Sequence, residues 1–143
     1  MPRPSLLSIL LATTLVAACG FDPGGDSPMT PPTVYRDWWG KTEACSGLSG
    51  DFDRVRWSVV AGHSFPCASG QCAGHWEPGH YIYIAADWTE NEMVVRHEML
   101  HDLLNQGGHP DPPFGNPCPL TWATWSGDAG GVASAVLPDS LPD

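Results

Sequence analysis

Positive charge is scarce in this 143-residue sequence. It has 6 lysine and arginine residues against 16 aspartate and glutamate residues, which gives a formal net charge of -10 at pH 7. A surface of that sign repels phosphate groups, so the composition argues against a nucleic-acid partner and against electrostatic attachment to anionic lipid. Charge by itself does not select a fold.

Long apolar runs are also lacking, and the one near the N-terminus is short. It extends from Leu6 to Ala17, whereas a stable membrane-spanning helix needs roughly 20 apolar residues. With Arg3 ahead of it and small residues behind it, the run has the form of an export signal that is removed in the mature protein.

Cys19 follows this run directly. Small residues immediately before a cysteine resemble the bacterial lipobox, in which the cysteine is acylated and becomes the new N-terminus after cleavage. The resemblance implies a signal peptide over residues 1–18 and a membrane anchor on Cys19. It places the protein in the bacterial cell envelope, and Gly20 favours the outer membrane. The alternative is an ordinary secretion signal with an unmodified cysteine.

Setting Cys19 aside makes the cysteine count even. The four others are Cys45, Cys67, Cys72 and Cys118. An even set in an exported chain predicts two disulfides. Three pairings are possible, and we favour Cys67 with Cys72 and Cys45 with Cys118. A structural zinc site is the alternative for one pair, but an oxidising compartment disfavours free thiolates. Its ligands would be Cys67, Cys72, His63 and His75.

Composition divides the exported chain into three parts. Residues 19–33 are rich in proline and glycine, which predicts a flexible tether after the lipidated cysteine. Residues 34–131 are expected to form one small monomeric domain, which disulfides and a bound metal would stabilise further. Residues 132–143 are expected to be a partly disordered tail.

Two segments of this domain have the pattern of strands. Val55 to Ala61 alternates in polarity, and Tyr81 to Ala85 is rich in aromatic and β-branched residues. A helix is predicted to follow, beginning near Glu90, because Thr89 and Glu92 have the spacing of a capping box. It is expected to end at Gly107 and Gly108, which favour a left-handed C-terminal stop.

The segment His97-Glu98-Met99-Leu100-His101 lies in the middle of this predicted helix. Residues four apart share one helix face, so His97 and His101 can ligate one ion. Zinc held by neutral imidazoles keeps a position for water and lowers the pKa of that water to about 7. Glu98 is then the candidate general base.

A catalytic zinc normally takes three protein ligands, so a third is needed. His109 follows a flexible Gly107-Gly108 pair and is the predicted ligand, with Asp111 as the competitor and an exposed loop imidazole as the non-binding alternative. No glutamate follows Glu98. This absence excludes a third ligand supplied by a glutamate on a later helix.

Together these residues resemble the zincin superfamily of metallopeptidases, and the three histidines are similar to a metzincin-like site. The spacing departs from that pattern, because the third histidine comes eight residues after His101 and no methionine follows Met99. The resemblance implies an α+β fold with a short twisted sheet packed on the active-site helix. It also implies that the strand before the helix pairs with an extended substrate, which makes Tyr81 and Tyr83 candidate substrate-binding residues.

The sequence therefore predicts a lipid-anchored zinc metallopeptidase that acts on peptides or proteins. The second hypothesis is a catalytically silent, zinc-stabilised binding or scaffold lipoprotein, which the small size of the domain favours. The third is a metal-free interaction domain held by disulfides. The presence of Glu98 beside the two helical histidines favours the first hypothesis, because a structural zinc site needs no general base.

Overall fold

A computed structural model describes residues 20–126 and shows the predicted mixture of helices and strands. The signal peptide, Cys19 and the tail at residues 132–143 lie outside the described residues. Two disulfides are present, Cys45 with Cys118 and Cys67 with Cys72, as the sequence predicted. They use the thiols that the alternative structural zinc site required. Within residues 20–126, none of the helices has the length and apolar character needed to cross a bilayer.

Within the part of the chain that the structure describes, six strands and two α-helices make up the fold. In chain order they are β1 (Asp26–Pro28), α1 (Val34–Ser46), β2 (Arg56–Val60), β3 (Phe65–Cys67), β4 (Gly70–Cys72), β5 (Gly74–Glu77), β6 (Tyr81–Ala85) and α2 (Glu92–Leu104). Four strands form a sheet in the order β1-β2-β6-β5, while β3 and β4 form a separate hairpin. The central pair, β2 and β6, is parallel, and both outer strands run antiparallel to their neighbours. The two predicted strands are therefore the centre of the sheet.

The segment before α1 differs from the expected tether. Asp26–Pro28 pairs with Val60 to Ser58 as an edge strand, and the Phe21 ring lies 4.3 Å from that of His75. Edge pairing uses backbone groups alone, so a composition poor in apolar residues does not prevent it. Proline is tolerated there because an edge strand leaves some amides unpaired. Within the segment for which a flexible tether was predicted, Asp26–Pro28 is therefore paired with the sheet.

Helix α2 has different ends from those predicted. Its N-cap is Asn91, whose side chain accepts a hydrogen bond from the Val94 amide at 3.0 Å. The Thr89 hydroxyl instead donates to the Ala86 carbonyl within a short 3-10 turn. The helix ends at Leu104, and its C-cap, Asn105, adopts a left-handed conformation with φ of 50°. Asparagine tolerates that region better than other non-glycine residues, so the stop comes before the two glycines.

Helix α2 is buried on all sides between α1 and the sheet. Every residue from Met93 to Asp102 is buried, and Val95, Met99 and Leu100 are completely inaccessible. Aromatic side chains fill the adjacent core, among them the buried tryptophans Trp38, Trp39, Trp57, Trp76 and Trp88. A helix held in this way has little freedom to shift or rotate, so the side chains that it presents to the sheet are fixed in position.

Candidate metal centre

Three histidine side chains converge beside α2. His97 and His101 come from one face of the helix, and His109 comes from the segment that follows it. The Nε2 atom of His97 lies 3.3 Å from that of His101 and 2.9 Å from that of His109. One ligand atom from each residue lies within 4.8 Å of the others. Asp111, the competing ligand, is exposed and does not belong to this group.

Backbone carbonyls orient the two helical imidazoles. His97 Nδ1 lies 2.6 Å from the Leu120 carbonyl oxygen, and His101 Nδ1 lies 2.9 Å from that of Gln106. A carbonyl only accepts, so each Nδ1 carries the hydrogen and donates it. Burial lowers the pKa of His97 to about 3 and that of His101 to about 4. Both rings are therefore neutral at pH 7, and each Nε2 has a lone pair.

Two Nε2 lone pairs thus face each other at 3.3 Å. Neither atom has a hydrogen to donate to the other, because the single ring proton of each neutral imidazole is already committed to a carbonyl. A cation between the nitrogens removes this repulsion. The histidine group can accordingly hold a metal ion, and the backbone hydrogen bonds supply the orientation that metal-bound imidazoles usually have.

The ring of Phe114 lies against all three imidazoles. Its centroid is 5.0 Å from that of His97, 4.8 Å from His101 and 4.9 Å from His109. Phe114 is buried with Leu100, Cys118 and Leu120 in a small apolar cluster. Sequence reasoning missed this residue, because an aromatic side chain in a proline-rich loop has no periodic pattern that would show its burial.

Glu98 lines the same cleft as the three histidines. Its side chain is almost completely buried, and desolvation raises its pKa to about 8 in the metal-free protein. The cleft encloses about 230 Å³, and strand β5 forms one wall through Gly74, His75 and Trp76. A carboxyl group with a raised pKa beside a candidate metal site is a feature of acid–base centres.

Tyr81 and Tyr83, the predicted substrate-binding residues, are not among the residues that line this cleft. Both belong to β6, which pairs with β2 on one side and β5 on the other and is therefore not an edge strand. Tyr81 contacts Arg56, and the Tyr83 ring packs 5.1 Å from Phe21. The edge strand beside the cleft is β5, which contains few of the residues that mark a strand in sequence.

Asp102 makes a buried polar contact behind the metal group. It accepts a hydrogen bond from Trp76 Nε1 at 2.8 Å and lies 3.0 Å from His80 Nδ1. The Trp76 ring in turn stacks on His101, with centroids 6.3 Å apart. These partners are 26 and 22 residues from Asp102 in sequence, so no local pattern could reveal them.

Known proteins offer no guide to this centre. Comparisons of the chain with protein-family models, with curated proteins and with solved structures find no match.

Proposed function

We propose that this protein is a zinc metallopeptidase in which His97, His101 and His109 hold the metal and Glu98 is the general base. One observation supports the proposal above all: three imidazole nitrogens converge in the same cleft as a buried carboxyl group. A purely structural metal site would not require that carboxyl. The reaction class is hydrolysis of peptide bonds.

The spacing of the nitrogens suits zinc. With Zn–N distances of about 2.0–2.1 Å, two ligands of a tetrahedral site lie about 3.3 Å apart. The His97 and His101 Nε2 atoms are 3.3 Å apart, and the His97 and His109 atoms are somewhat closer at 2.9 Å. Three neutral imidazoles form the ligand set of a catalytic zinc site, in which the fourth position stays open.

Proton transfer is the role proposed for Glu98. Zinc, when bound, polarises the substrate carbonyl and makes a water molecule more acidic. Glu98 accepts a proton from the attacking water and later donates it to the leaving amine. Burial raises the pKa of this carboxyl to about 8, and a neighbouring cation favours its ionised form. The two effects oppose each other, which suits a group that must both accept and release a proton near neutral pH.

The substrate is proposed to bind along β5. This strand ends the sheet and has β6 as its one neighbour in it among the described residues. An extended peptide can add to such an edge through backbone hydrogen bonds. Ser69 of the disulfide-closed β3–β4 hairpin, together with Gly107 and Gly108, lines the remainder of the cleft. These residues are small and suit the approach of a peptide backbone.

We also propose that Cys19 is lipidated and that the protein lies in the bacterial envelope, with the outer membrane favoured. The two disulfides support an oxidising compartment of that kind. Palmitate labelling of expressing bacteria tests the anchor. The wild type should incorporate the label, and Cys19→Ser should not. Incorporation by both proteins would contradict this assignment.

Replacing Glu98 tests the catalytic proposal. Glu98→Gln is expected to keep one zinc per chain and to abolish cleavage of a mixed peptide library, because the amide cannot accept the proton. Zinc content and cleavage are measured on the same samples. Glu90→Gln, a change at an exposed glutamate on the surface, is the matched control and should retain both.

The second candidate function is a catalytically silent, zinc-stabilised binding or scaffold lipoprotein. The small cleft and the burial of Glu98 favour it. Full zinc occupancy without cleavage in the wild type would support this alternative and contradict the peptidase. Loss of zinc together with activity in Glu98→Gln would show that Glu98 has a structural role.

A further inference from the structure

Strand β5 and helix α2 lie side by side in matching register. Two residues of a strand rise about 6.6 Å, and four residues of a helix rise about 6.0 Å. Positions 74 and 76 of the strand can therefore face positions 98 and 102 of the helix. The contacts agree, because Gly74 adjoins the Glu98 side chain and Trp76 donates to Asp102 at 2.8 Å.

Gly74 leaves no room for a side chain. A Cβ atom at this position would lie 2.7 Å from Glu98 Oε1, 2.8 Å from Glu98 Cγ and 3.1 Å from Glu98 Cδ. Real Cβ contacts essentially never fall below 3.0 Å. The backbone of Gly74 is not in the left-handed region. Glycine is therefore required here by the neighbouring carboxyl group and not by the conformation of the chain.

Neither side of this contact can withdraw easily. Gly74 lies opposite Ile84 of β6, which is completely buried. Glu98 is fixed on the buried helix, next to Met99, and the Trp76–Asp102 hydrogen bond holds the strand against the helix one turn further along. A methyl group at position 74 would consequently displace the Glu98 carboxyl within the cleft.

We propose that Gly74 is a positioning residue for the general base, because its missing side chain creates the space that the Glu98 carboxyl occupies beside the three histidines. This inference rests on the proposed function for its catalytic meaning. The steric relation between the two residues does not depend on catalysis. The two parts can therefore be tested separately.

A double-mutant cycle tests the steric part. The four zinc-loaded proteins are the wild type, Gly74→Ala, Glu98→Ala and the double variant, and the measurements are the thermal midpoint and the zinc content. Gly74→Ala should lower the midpoint by about 4 °C or more, whereas the same change in the Glu98→Ala background should lower it by less than half as much. Failure of Gly74→Ala to fold, with folding restored in the double variant, would support the same conclusion.

Equal losses in the two backgrounds would overturn the proposal, and so would a Gly74→Ala protein as stable as the wild type. Gly40→Ala is the matched control, because Gly40 lies in α1 with no atom near its Cβ position. The change in the thermal midpoint caused by Gly40→Ala should be the same whether residue 98 is glutamate or alanine.

Peptide cleavage tests the catalytic part. Gly74→Ala should lower kcat by at least about tenfold while KM and zinc content stay within about twofold, because only the base is displaced. A fall confined to KM, or unchanged kinetics, would overturn the positioning role. Absence of cleavage in the wild type would instead contradict the proposed function, and the thermal cycle would still decide the steric assignment.

Discussion

The two halves of the candidate metal centre are held in place by different forces. The helix half, His97, Glu98 and His101, lies on α2, which the core encloses on all sides. The loop half, His109, Phe114 and Leu120, belongs to a segment without helix or strand. Hydrophobic burial thus preforms the helix half, whereas the loop half needs other constraints to keep its position.

A disulfide supplies the main constraint on the loop half. Cys118 is completely buried and joins the loop to Cys45 near the end of α1. The Phe114 amide donates to the Pro110 carbonyl, and the Gly115 amide donates to the Cys118 carbonyl. The hydrogen bond between Leu120 and His97 then connects the loop to the helix half. The site is complete when both halves meet.

Removing the long-range disulfide should have the largest effect on the loop half. Changing both Cys45 and Cys118 to alanine opens a link with a sequence separation of 73, which should lower the free energy of unfolding by about 4 kcal/mol. Urea unfolding of the zinc-loaded protein measures the loss. Zinc affinity should fall as well, since the loop half is no longer held against the helix.

The Cys67–Cys72 disulfide is the natural control. Its sequence separation is 5, so changing both cysteines to alanine should cost about 2 kcal/mol. This link closes the β3–β4 hairpin and joins no residue of the loop half. Cys72 lines the cleft but is not one of the candidate ligands, so zinc affinity should fall less than it does without the Cys45–Cys118 link. Equal effects of the two double changes on zinc affinity would contradict the separate role of the loop disulfide.

Removing one ligand from either half should have the next largest effect, and the loss of zinc affinity should differ between the two halves. His97→Ala leaves one ligand on each half, whereas His109→Ala leaves two ligands on the preformed helix. The binding free energy of zinc at structural sites with four ligands is about 10–16 kcal/mol. Divided equally, each ligand contributes about 3 kcal/mol, which is on the order of 100-fold in affinity. The loss of zinc affinity should be larger than this value for His97→Ala and smaller for His109→Ala.

Competition with a chromophoric chelator measures both affinities. His63→Ala serves as the control, because His63 pairs with Asp87 elsewhere in the protein. A larger loss for His109→Ala than for His97→Ala would show that the loop half is the preorganised one.

The helix half of the site could be predicted from the sequence more completely than the loop half. His97, Glu98 and His101 share one helix and a fixed spacing, so local periodicity predicts their convergence. The position of His109 near the helix was predictable from the glycines before it, and the formation of two disulfides from the even number of cysteines. That number left three pairings possible. Phe114 and Asp102 depend on contacts with distant residues, and β5 is short and glycine-containing. Tertiary packing sets these features, and local patterns contain little information about it.

In the metal-free protein, the pH dependence of stability should arise mainly from the helix half. Burial lowers the pKa of His97 to about 3 and of His101 to about 4 from 6.5, so below pH 6.5 the unfolded chain binds more protons and stability falls with falling pH. Burial raises the pKa of Glu98 to about 8 from 4.5. The folded state therefore holds the extra proton, and this contribution to stability is lost as pH rises towards 8.

These opposing effects predict that the stability of the metal-free protein is greatest near pH 6.5. Below it the two histidines outweigh the one carboxyl by about one proton, which corresponds to roughly 1.4 kcal/mol for each pH unit. Urea unfolding with a chelator between pH 5 and 8 measures the curve. Glu98→Gln should remove the decline above pH 7 and steepen the acidic slope to about two protons, or roughly 2.7 kcal/mol for each pH unit. A steady rise of wild-type stability up to pH 8 would contradict the raised pKa of Glu98.

The smallest expected effect distinguishes the observed start of α2 from the predicted one. Asn91→Ala removes the acceptor for the Val94 amide and should cost about 1 kcal/mol. Thr89→Ala removes a hydroxyl that bonds within the preceding turn and should cost less. Zinc affinity should stay unchanged in both, because His97 lies more than one turn beyond the cap and the core holds that part of the helix. Urea unfolding and chelator competition provide the two measurements.

A larger loss of stability for Thr89→Ala than for Asn91→Ala would favour the predicted capping box. A fall in zinc affinity with Asn91→Ala would show that the helix half depends on its cap as well as on burial.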